Sequence, residues 1–379
     1  MFASDFLRLC QSAGIDFYTG VPDSLLKGLC DELFDRYGSE GPVHVVAHNE
    51  GGAVALCAGH YLATGRPGLC YMQNSGLGNA VNPLASLMDP QVYSLPCLLV
   101  IGWRGEPGVR DEPQHVKQGQ ITLSQLEILD IPCCVLSADT DPDSFARSFA
   151  GLTEAMSAGR TAAVVVRKGA LTTDRKPSYK NSYTMTREEA AAVILSCTEE
   201  SDVIVSTTGK LSREVFELRE KRGEDHARDF LTVGSMGHAG MIALQIALEQ
   251  SGRTVWCLDG DGAALMHLGA LPLIARRAPK NLIHVVVNNG AHETVGGMPV
   301  LGRGLNLCET ARASGYPSVR SADSEENLRE TLSEIRSSGQ DGPFFVEVRC
   351  ACGARSDLGR PTTTPVENRD ALMAFLRRQ

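Results

Sequence analysis

Short apolar runs alternate with helix-like stretches along nearly the whole chain, and this alternation is the feature that most constrains its fold. In the first half, the strand-like segments VHVVA (43–47), GLCYM (68–72) and PCLLVIG (96–102) are separated by helical segments. The second half repeats the arrangement, for example with DVIVS (202–206) and FFVEV (344–348). Apolar strands that alternate with helices are typical of a parallel sheet covered on both faces. The sequence therefore predicts an α/β protein with two doubly wound parallel-sheet domains.

A segment without periodicity separates the two halves. Residues 171–185 contain few large aliphatic side chains, and Thr186 with Glu189 fits a capping box that begins the next helix. We therefore expect a first domain at 1–170, a linker at 171–185 and a second domain at 186–379. Each domain is long enough for a core of its own.

Composition limits the partners and the compartment. The net charge of −9 argues against nucleic acid as a partner, and no apolar stretch is long enough to cross a membrane. The N-terminal segment is expected to be an amphipathic helix rather than a signal peptide, because Asp5 interrupts it. The 12 cysteines lie mostly in apolar segments, which predicts buried thiols and a cytoplasmic protein. Cys350 and Cys352 lack zinc-ligand spacing, so no metal is expected there.

The stretch from Cys257 to Gly297 carries polar residues at the ends of two predicted strands. TVWCL leads into DGDG with Asp261, a helix is expected from about Ala263, and LIHVVV ends at Asn288 and Asn289. A strand–helix–strand crossover returns the second strand parallel to the first. Asp261 and Asn289 should therefore lie at the same edge of the sheet, where open α/β sheets bind ligands.

These residue types suit a metal ion and a diphosphate. Gly260 and Gly262 allow the backbone to approach a ligand closely, and a helix N-terminus favours phosphate. A carboxylate oxygen from Asp261, a carbonyl oxygen from Asn289 and a nearby main-chain carbonyl suit octahedral Mg²⁺. Taken singly, DG and NN are ordinary turn formers. Their placement at both ends of one crossover favours the ligand site.

The spacing of GDG, 25 residues and then Asn288-Asn289 resembles the diphosphate signature of thiamine diphosphate (ThDP) enzymes. The resemblance implies ThDP and Mg²⁺ as cofactors, with the metal bound by Asp261, Asn289 and the main-chain carbonyl of Ala291. It also places Gly260, Gly262 and Ala263 beside the diphosphate.

The same resemblance assigns roles to two further segments. Glu50, in VVAHNEGGAVALCAG, would bond N1′ of the aminopyrimidine and activate the cofactor, although a first-turn glutamate also favours a helix N-terminus without any catalytic role. In VGSMGHAG, Met236 would lie under the cofactor, next to Gly234 and Ser235, whereas the alternative for Met236 is core packing. By a looser resemblance, Thr208, Gly209 and Lys210 in STTGK border the diphosphate.

Longer segments resemble the members of this family that decarboxylate phosphonopyruvate. They are TGVPDSLLKG, GWRGEPGVRDEPQHVKQG, NNGAHETVGGMP and DLGRPTTTPVEN, and together they span nearly the whole chain. The short linker leaves no room for the middle domain of many related decarboxylases. The resemblance implies decarboxylation of 3-phosphonopyruvate to phosphonoacetaldehyde and CO₂, a step of phosphonate biosynthesis. Sulfopyruvate decarboxylation, or another ThDP-dependent decarboxylation or carboligation, is the alternative.

A phosphonate substrate needs cationic or N–H donors. The candidates are Arg104, His115, Lys117, Lys210, His292 and Arg360. His115 lies in the predicted loop 103–120 and could donate to the keto oxygen or to the phosphonate, or make only a loop hydrogen bond. Asp23 and Ser24 are candidates for proton handling, and the same pair fits a helix N-cap.

The predicted partner, apart from a small 2-oxo acid substrate, is a second copy of the chain. In the ThDP family the pyrimidine domain of one subunit faces the diphosphate domain of another, which implies at least a homodimer with active sites at the subunit interface. A redox enzyme is disfavoured, because the sequence lacks a dinucleotide fingerprint and iron–sulfur spacing. A non-enzymatic binding module is disfavoured by the presence of Glu50.

Overall fold

The computed structural model describes residues 1–378, with only the backbone of Gly302 and Arg303. The chain divides into two compact units, Met1–Ser178 and a second that begins at Tyr179. Position 379, the predicted end of the second domain, lies outside the described residues. Among the helices of residues 1–378, none is both long and apolar enough to cross a bilayer.

The first unit is built on one parallel sheet. Its described strands follow the order β2-β1-β3-β4-β6-β5. The strands are β1 Tyr18–Gly20, β2 His44–Val46, β3 Gly68–Gln73, β4 Cys97–Gly102, β5 Cys133–Leu136 and β6 Ala162–Val166. The helices are α1 Ala3–Ser12, α2 Lys27–Tyr37, α3 Glu50–Thr64, α4 Leu77–Pro83, α5 Pro113–Ile128 and α6 Pro142–Ser157.

The second unit has its own parallel sheet, in the order β13-β14-β10-β9-β7-β8, and a short antiparallel pair, β11-β12. The strands are β7 Val203–Ser206, β8 Asp229–Leu231, β9 Val255–Gly260, β10 Leu282–Asn288, β11 Ala291–His292, β12 Met298–Pro299, β13 Ser318–Ala322 and β14 Phe344–Arg349. The helices are α7 Arg187–Ser196, α8 Lys210–Arg222, α9 Ala239–Glu249, α10 Asp261–Met266, α11 Ala270–Arg277, α12 Leu307–Ala313, α13 Glu325–Ser337 and α14 Pro365–Leu376.

The central strand β9 shows why both faces of this sheet need cover. Trp256 and Leu258 belong to the apolar cluster on one face, and Val255 and Cys257 belong to the cluster on the other. Successive side chains of a strand point to opposite faces, so an uninterrupted apolar strand is stable only between two layers of helices. The predicted fold class is confirmed in both units.

The predicted edge of the second sheet is also confirmed. Strands β9 and β10 pair in parallel, with Gly260 opposite Val287. Asp261 and Asn289 therefore follow the carboxyl ends of neighbouring strands. The capping box of α7 is present as well, because Thr186 and Glu189 exchange side-chain and main-chain hydrogen bonds.

Two helix boundaries in the first unit differ from the prediction. The sequence allows Asp23 and Ser24 as a helix N-cap, but the helix begins at Lys27, and Asp23 instead accepts a hydrogen bond from the N–H of Leu25, 2.9 Å away, in a local turn. The alternative of an N-cap is therefore wrong, because Leu26 occupies the N-cap position.

The predicted loop 103–120 was too long. Its second half is the beginning of α5, in which Pro113 occupies the first turn. Proline is favoured there because its missing N–H would have no helical partner and its φ suits a helix. His115 and Lys117 thus lie on a helix rather than in a loop.

The helix after β9 begins two residues earlier than predicted and is short. It starts at Asp261, ends at Met266 and is followed by a separate helix from Ala270. The chain leaves the helical conformation at His267, where φ is −131° and ψ is 54°.

Candidate active site

Asp261 is a buried carboxylate at the predicted ligand-binding edge of the second sheet. One of its oxygens accepts a hydrogen bond from the N–H of Gly262 at 2.7 Å, and the other from the N–H of Gly290 at 2.8 Å. Burial raises the pKa of Asp261 to about 7, although both main-chain donors lower it. A nearby cation would favour the charged form, so the position suits a metal ligand.

Gly290 makes this contact possible through its backbone conformation. Its φ is +69°, in the region that favours glycine. The turn brings the N–H of Gly290 to Asp261 and places the loop after β10 against the end of β9.

The two asparagines that end β10 have different surroundings. The Asn288 amide donates to Glu347 on β14 at 2.8 Å and so ties two strands together. The Asn289 amide donates to Glu293 at 3.2 Å, and its side-chain oxygen accepts from the N–H of Ala291 at 3.1 Å. Asn289 is therefore held within the loop whose Gly290 contacts Asp261, and its role as the ligand of the pair stays a prediction.

A glycine cradle lies next to these residues. A Cβ atom at Gly262 would lie 3.2 Å from Cε1 of His292 and 3.4 Å from Cε of Met236. The fold thus gathers three residues that are far apart in the sequence. Met236 is partly exposed, so full burial in the core does not explain it. Ser235, with φ +49°, shapes the turn before it.

His292 differs from what a cationic phosphonate anchor needs. Burial lowers the pKa of His292 to about 4, so the ring is neutral near pH 7. A neutral imidazole can still donate one N–H to a ligand.

The segment after β7 joins the same edge. The hydroxyl of Thr208 accepts from the N–H of Gly234 at 2.9 Å. Lys210 Nζ lies 3.7 Å from a carboxylate oxygen of Glu293. Gly209 has φ +110°, which favours glycine. The STTGK segment therefore adjoins both the Met236 turn and the loop after β10.

Glu50 lies at the beginning of α3 in the first unit. It is buried, and one of its oxygens accepts from the Asn79 amide at 2.8 Å. A Cβ atom at Gly76 would lie 2.5 Å from Glu50 Cγ and 2.6 Å from its other oxygen. Glycine at position 76 thus leaves the space that this carboxylate needs.

A second polar group of the first unit contains Asp23, which is fully buried. One oxygen of Asp23 accepts from the Gln73 amide at 2.6 Å. Burial raises the pKa of Asp23, and the hydrogen bonds and Arg104 oppose that shift. A carboxyl group of this kind can hold a proton more readily than an exposed aspartate.

Arg104 is oriented by an acid that the sequence analysis did not single out. Its Nε donates to Asp111 at 2.7 Å, and another guanidinium nitrogen donates to the Ser24 hydroxyl at 3.0 Å. The guanidinium holds the pKa of Asp111 well below its usual range. Arg104 is therefore fixed beside Ser24, with much of its donor capacity already used.

The other predicted substrate residues are less closely grouped. His115 is buried on α5, whereas Lys117 is exposed on the same helix. Arg360 is exposed and follows Gly359, whose N–H donates to Glu217 on α8. That contact lies along the helix rather than at the carboxyl ends of the strands, so Arg360 is the weakest of the predicted anchors.

Sequence reasoning missed several residues that support the site. Asn181, in the aperiodic linker, donates to the main-chain oxygen of Asn289 at 3.0 Å and to that of Cys350 at 2.9 Å. Glu293 lies four residues after Asn289 in the quoted motif, so it could have been considered. Asn181 carries no comparable local signal.

The oxygens at the second-unit edge fit Mg²⁺ by their chemistry. A carboxylate, a carboxamide oxygen and a main-chain carbonyl are hard donors of the kind that this ion prefers. The carboxylate is buried and already oriented by two main-chain donors.

Comparison with known families gives the same two-part division. The model "Thiamine pyrophosphate enzyme, N-terminal TPP binding domain" matches residues 2–128, and the corresponding C-terminal TPP binding domain matches residues 207–348. Thiamine pyrophosphate is another name for ThDP. The first match contains Glu50, and the second contains Asp261 and Asn289.

Two curated relatives are similar over nearly the whole chain. A phosphonopyruvate decarboxylase of Streptomyces viridochromogenes is 33% identical over 390 residues, which cover 99% of this chain and 94% of that protein. One of Streptomyces hygroscopicus is 33% identical over 383 residues, 96% of this chain and 91% of that protein. A sulfopyruvate decarboxylase of Methanosarcina acetivorans is 27% identical over 353 residues, 87% of each chain.

Proposed function

Because the chain belongs to the thiamine diphosphate enzyme family, we propose that it decarboxylates 3-phosphonopyruvate to phosphonoacetaldehyde and CO₂. The observation that carries this proposal is the near full-length similarity to two phosphonopyruvate decarboxylases. The lower similarity to sulfopyruvate decarboxylase makes sulfopyruvate the second candidate.

The two units are proposed to bind different parts of ThDP. The second unit would bind the diphosphate through Mg²⁺, with Asp261, Asn289 and the carbonyl of Ala291 as ligands. Support comes from the fixed, buried carboxylate of Asp261 and from the loop that places Asn289 beside it. Gly260, Gly262 and Ala263 would line the diphosphate. Bound ThDP supplies the electron sink for the loss of CO₂.

The first unit would bind the aminopyrimidine at Glu50. The carboxylate has one oxygen bonded to Asn79 and the other next to the space left by Gly76. Its task would be to hold a proton at N1′ of the pyrimidine ring. A side-chain carboxylate can exchange a proton there, whereas an amide cannot.

The group around Asp23 is proposed to handle the substrate. Loss of CO₂ requires one proton to be delivered to the carbon that carried it, and a buried carboxyl with a raised pKa can hold that proton. Ser24 and the N–H groups of Arg104 would orient the substrate, with His115 as a further donor. Lys117, Lys210, His292 and Arg360 remain candidates for the phosphonate.

We also propose a homodimer or higher homo-oligomer, located in the cytoplasm. Helices α3 and α4 expose aliphatic side chains, with 40% of Leu56, 72% of Leu62 and 39% of Val81 accessible. Exposed aliphatic side chains on these two helices suit contact with a second copy. The cysteines carry free thiols, as a reducing compartment favours. Sedimentation analysis should give at least twice the monomer mass.

The substrate assignment is tested by comparing kcat/KM for 3-phosphonopyruvate, sulfopyruvate and pyruvate, with Mg²⁺ and ThDP saturating. A dianionic phosphonate can accept several charge-assisted hydrogen bonds, each worth about 1.5–3 kcal/mol. Pyruvate would leave those donors unpaired, so we expect it to be at least about 100-fold poorer. Sulfopyruvate carries one charge fewer than phosphonopyruvate, so its kcat/KM should lie between those of phosphonopyruvate and pyruvate.

Single substitutions then identify the phosphonate anchor. R104M, K117M, K210M and R360M are compared with R369M, which neutralises an exposed arginine that pairs with Asp370. Neutralising an anchor should reduce the preference for phosphonopyruvate over pyruvate, and the control should not. A wild-type preference for sulfopyruvate would shift the assignment to that acid. Efficient use of pyruvate, unchanged in every variant, would rule out a phosphonate site.

A further inference from the structure

The carboxamide of Asn289 is held at both of its ends. Its nitrogen donates to a Glu293 oxygen at 3.2 Å, and its oxygen accepts from the N–H of Ala291 at 3.1 Å. A carboxylate can only accept and a main-chain N–H can only donate. Turning the carboxamide by 180° would therefore break both hydrogen bonds. The side-chain oxygen of Asn289 would then face the Glu293 carboxylate, and its NH2 group would face the N–H of Ala291.

Glu293 is in turn fixed by three different parts of the second unit. The oxygen that accepts from Asn289 also accepts from the N–H of Gly353 at 2.8 Å, in the chain after β14. The other oxygen lies 3.7 Å from Nζ of Lys210, at the beginning of α8. Contacts from three directions leave this carboxylate little freedom to follow the carboxamide if it turns.

From this geometry we propose that Glu293 is a positioning residue that fixes the carboxamide orientation of Asn289 for metal binding. The inference rests on the proposed role of Asn289 as a ligand. A metal ion requires the carboxamide oxygen, because the amide nitrogen carries two protons and offers no lone pair. Glu293 binds that nitrogen and thereby keeps the oxygen available on the other side.

The test is the affinity for Mg²⁺ of the E293Q variant, measured by calorimetric titration at saturating ThDP. A glutamine side chain can both donate and accept, so it can pair with either orientation of Asn289. We expect the affinity to fall about 10- to 100-fold, as is typical when a residue that supports a metal ligand is lost. E309Q is the matched control, because Glu309 is an exposed acid of the same unit that pairs with Arg312.

Repeating the E293Q measurement in an N289D variant separates an effect on the carboxamide orientation from a general loosening of the loop. In N289D both terminal atoms are oxygens, so the orientation no longer matters, and the new carboxylate faces Glu293. In the N289D background, E293Q should therefore raise the Mg²⁺ affinity. In the wild-type background, E293Q should lower that affinity. Loosening of the loop would lower the affinity in both backgrounds. The melting temperature of each variant without cofactor reports any unfolding.

Two outcomes would overturn the proposal. One is an E293Q affinity equal to that of E309Q, and the other is a loss of the same sign in both backgrounds. N289A distinguishes the inference from its premise. If N289A weakens Mg²⁺ binding while E293Q does not, only the role of Glu293 is wrong. If N289A binds Mg²⁺ as the wild type does, the metal site itself is wrong and the inference fails with it.

Discussion

Glu50 and Asp261 both begin a helix beyond the carboxyl end of a parallel strand, one in each unit, and both are buried. Their hydrogen-bond partners differ. Asp261 accepts from two main-chain N–H groups, whereas Glu50 accepts from the side-chain amide of Asn79. The second oxygen of Glu50 lies beside the space left by Gly76.

The difference fits the two tasks proposed for these residues. Main-chain donors are part of the sheet edge, so they hold Asp261 in one orientation and leave its charge to be balanced by a cation. A single side-chain donor leaves Glu50 with an oxygen that can form a further bond and exchange a proton. The comparison predicts that substitutions at Asp261 act on cofactor binding and those at Glu50 on turnover.

The largest effect is expected for D261A. It removes the buried carboxylate that is proposed to bind Mg²⁺. Loss of a residue that only supports a metal ligand typically lowers the affinity about 10- to 100-fold, so D261A should lower the affinity for ThDP in the presence of Mg²⁺ by more than that. Activity should be lost with it. Calorimetric titration measures the affinity, and D323A, at an exposed position of the same unit, is the control. Undiminished affinity in D261A would refute the metal assignment.

E50Q should show the opposite pattern. The amide keeps the size of Glu50, and its oxygen can still accept from Asn79, but it cannot hold the proton, so kcat should fall about 10²- to 10⁴-fold. The ThDP affinity should stay within a few-fold of wild type. Steady-state kinetics and titration on the same preparation separate the two quantities, with E127Q on the surface as control. A kcat near the wild-type value would mean that Glu50 is not the activating group.

G76A tests whether the position of Glu50 matters as well as its charge. The added Cβ would lie 2.5 Å from Glu50 Cγ, so the carboxylate must move. We expect kcat to fall about tenfold. The free energy of unfolding should decrease by about 1–3 kcal/mol, as is typical of overpacking. G78A is a close control, because its Cβ would meet no atom within 4 Å. Equal kinetics in the two variants would show that the space beside Glu50 is not needed.

The smallest effect is expected for N181A in the second unit. It removes two hydrogen bonds to main-chain oxygens, one of them at Asn289, and should lower stability by about 1–2 kcal/mol. The Mg²⁺ affinity should fall only a few-fold, because Asp261 and Glu293 still hold the loop. Chemical denaturation and titration measure the two quantities, with the exposed Asn327 substituted in N327A as the control. A loss of affinity as large as that in D261A would contradict this ranking.

The parts of the site that were predictable from the sequence depend on strand ends. Asp261 and Asn289 were expected at one edge because a crossover returns parallel, and the pairing of Gly260 with Val287 confirms it. The helix start at Pro113 was not predicted, because the polar segment around it shows no clear helical periodicity. The proline itself was a usable signal, since proline is favoured in the first turn of a helix.

Long-range support was not predictable from a single sequence. The two carbonyls that Asn181 binds lie 108 and 169 residues away. Nothing local distinguishes that residue from others in an aperiodic linker. The same holds for the N–H of Gly353, which binds Glu293 from 60 residues away. Such contacts depend on which loops the completed sheet brings together.

The division of labour between Glu50 and Asp261 is tested most directly by proton exchange at C2 of the bound cofactor. The exchange into deuterium oxide is measured for wild type and E50Q, both saturated with Mg²⁺ and ThDP, without substrate. If Glu50 activates the cofactor and Asp261 only holds it, exchange in E50Q should slow in parallel with kcat while ThDP remains bound. Exchange at the wild-type rate in E50Q would contradict the account.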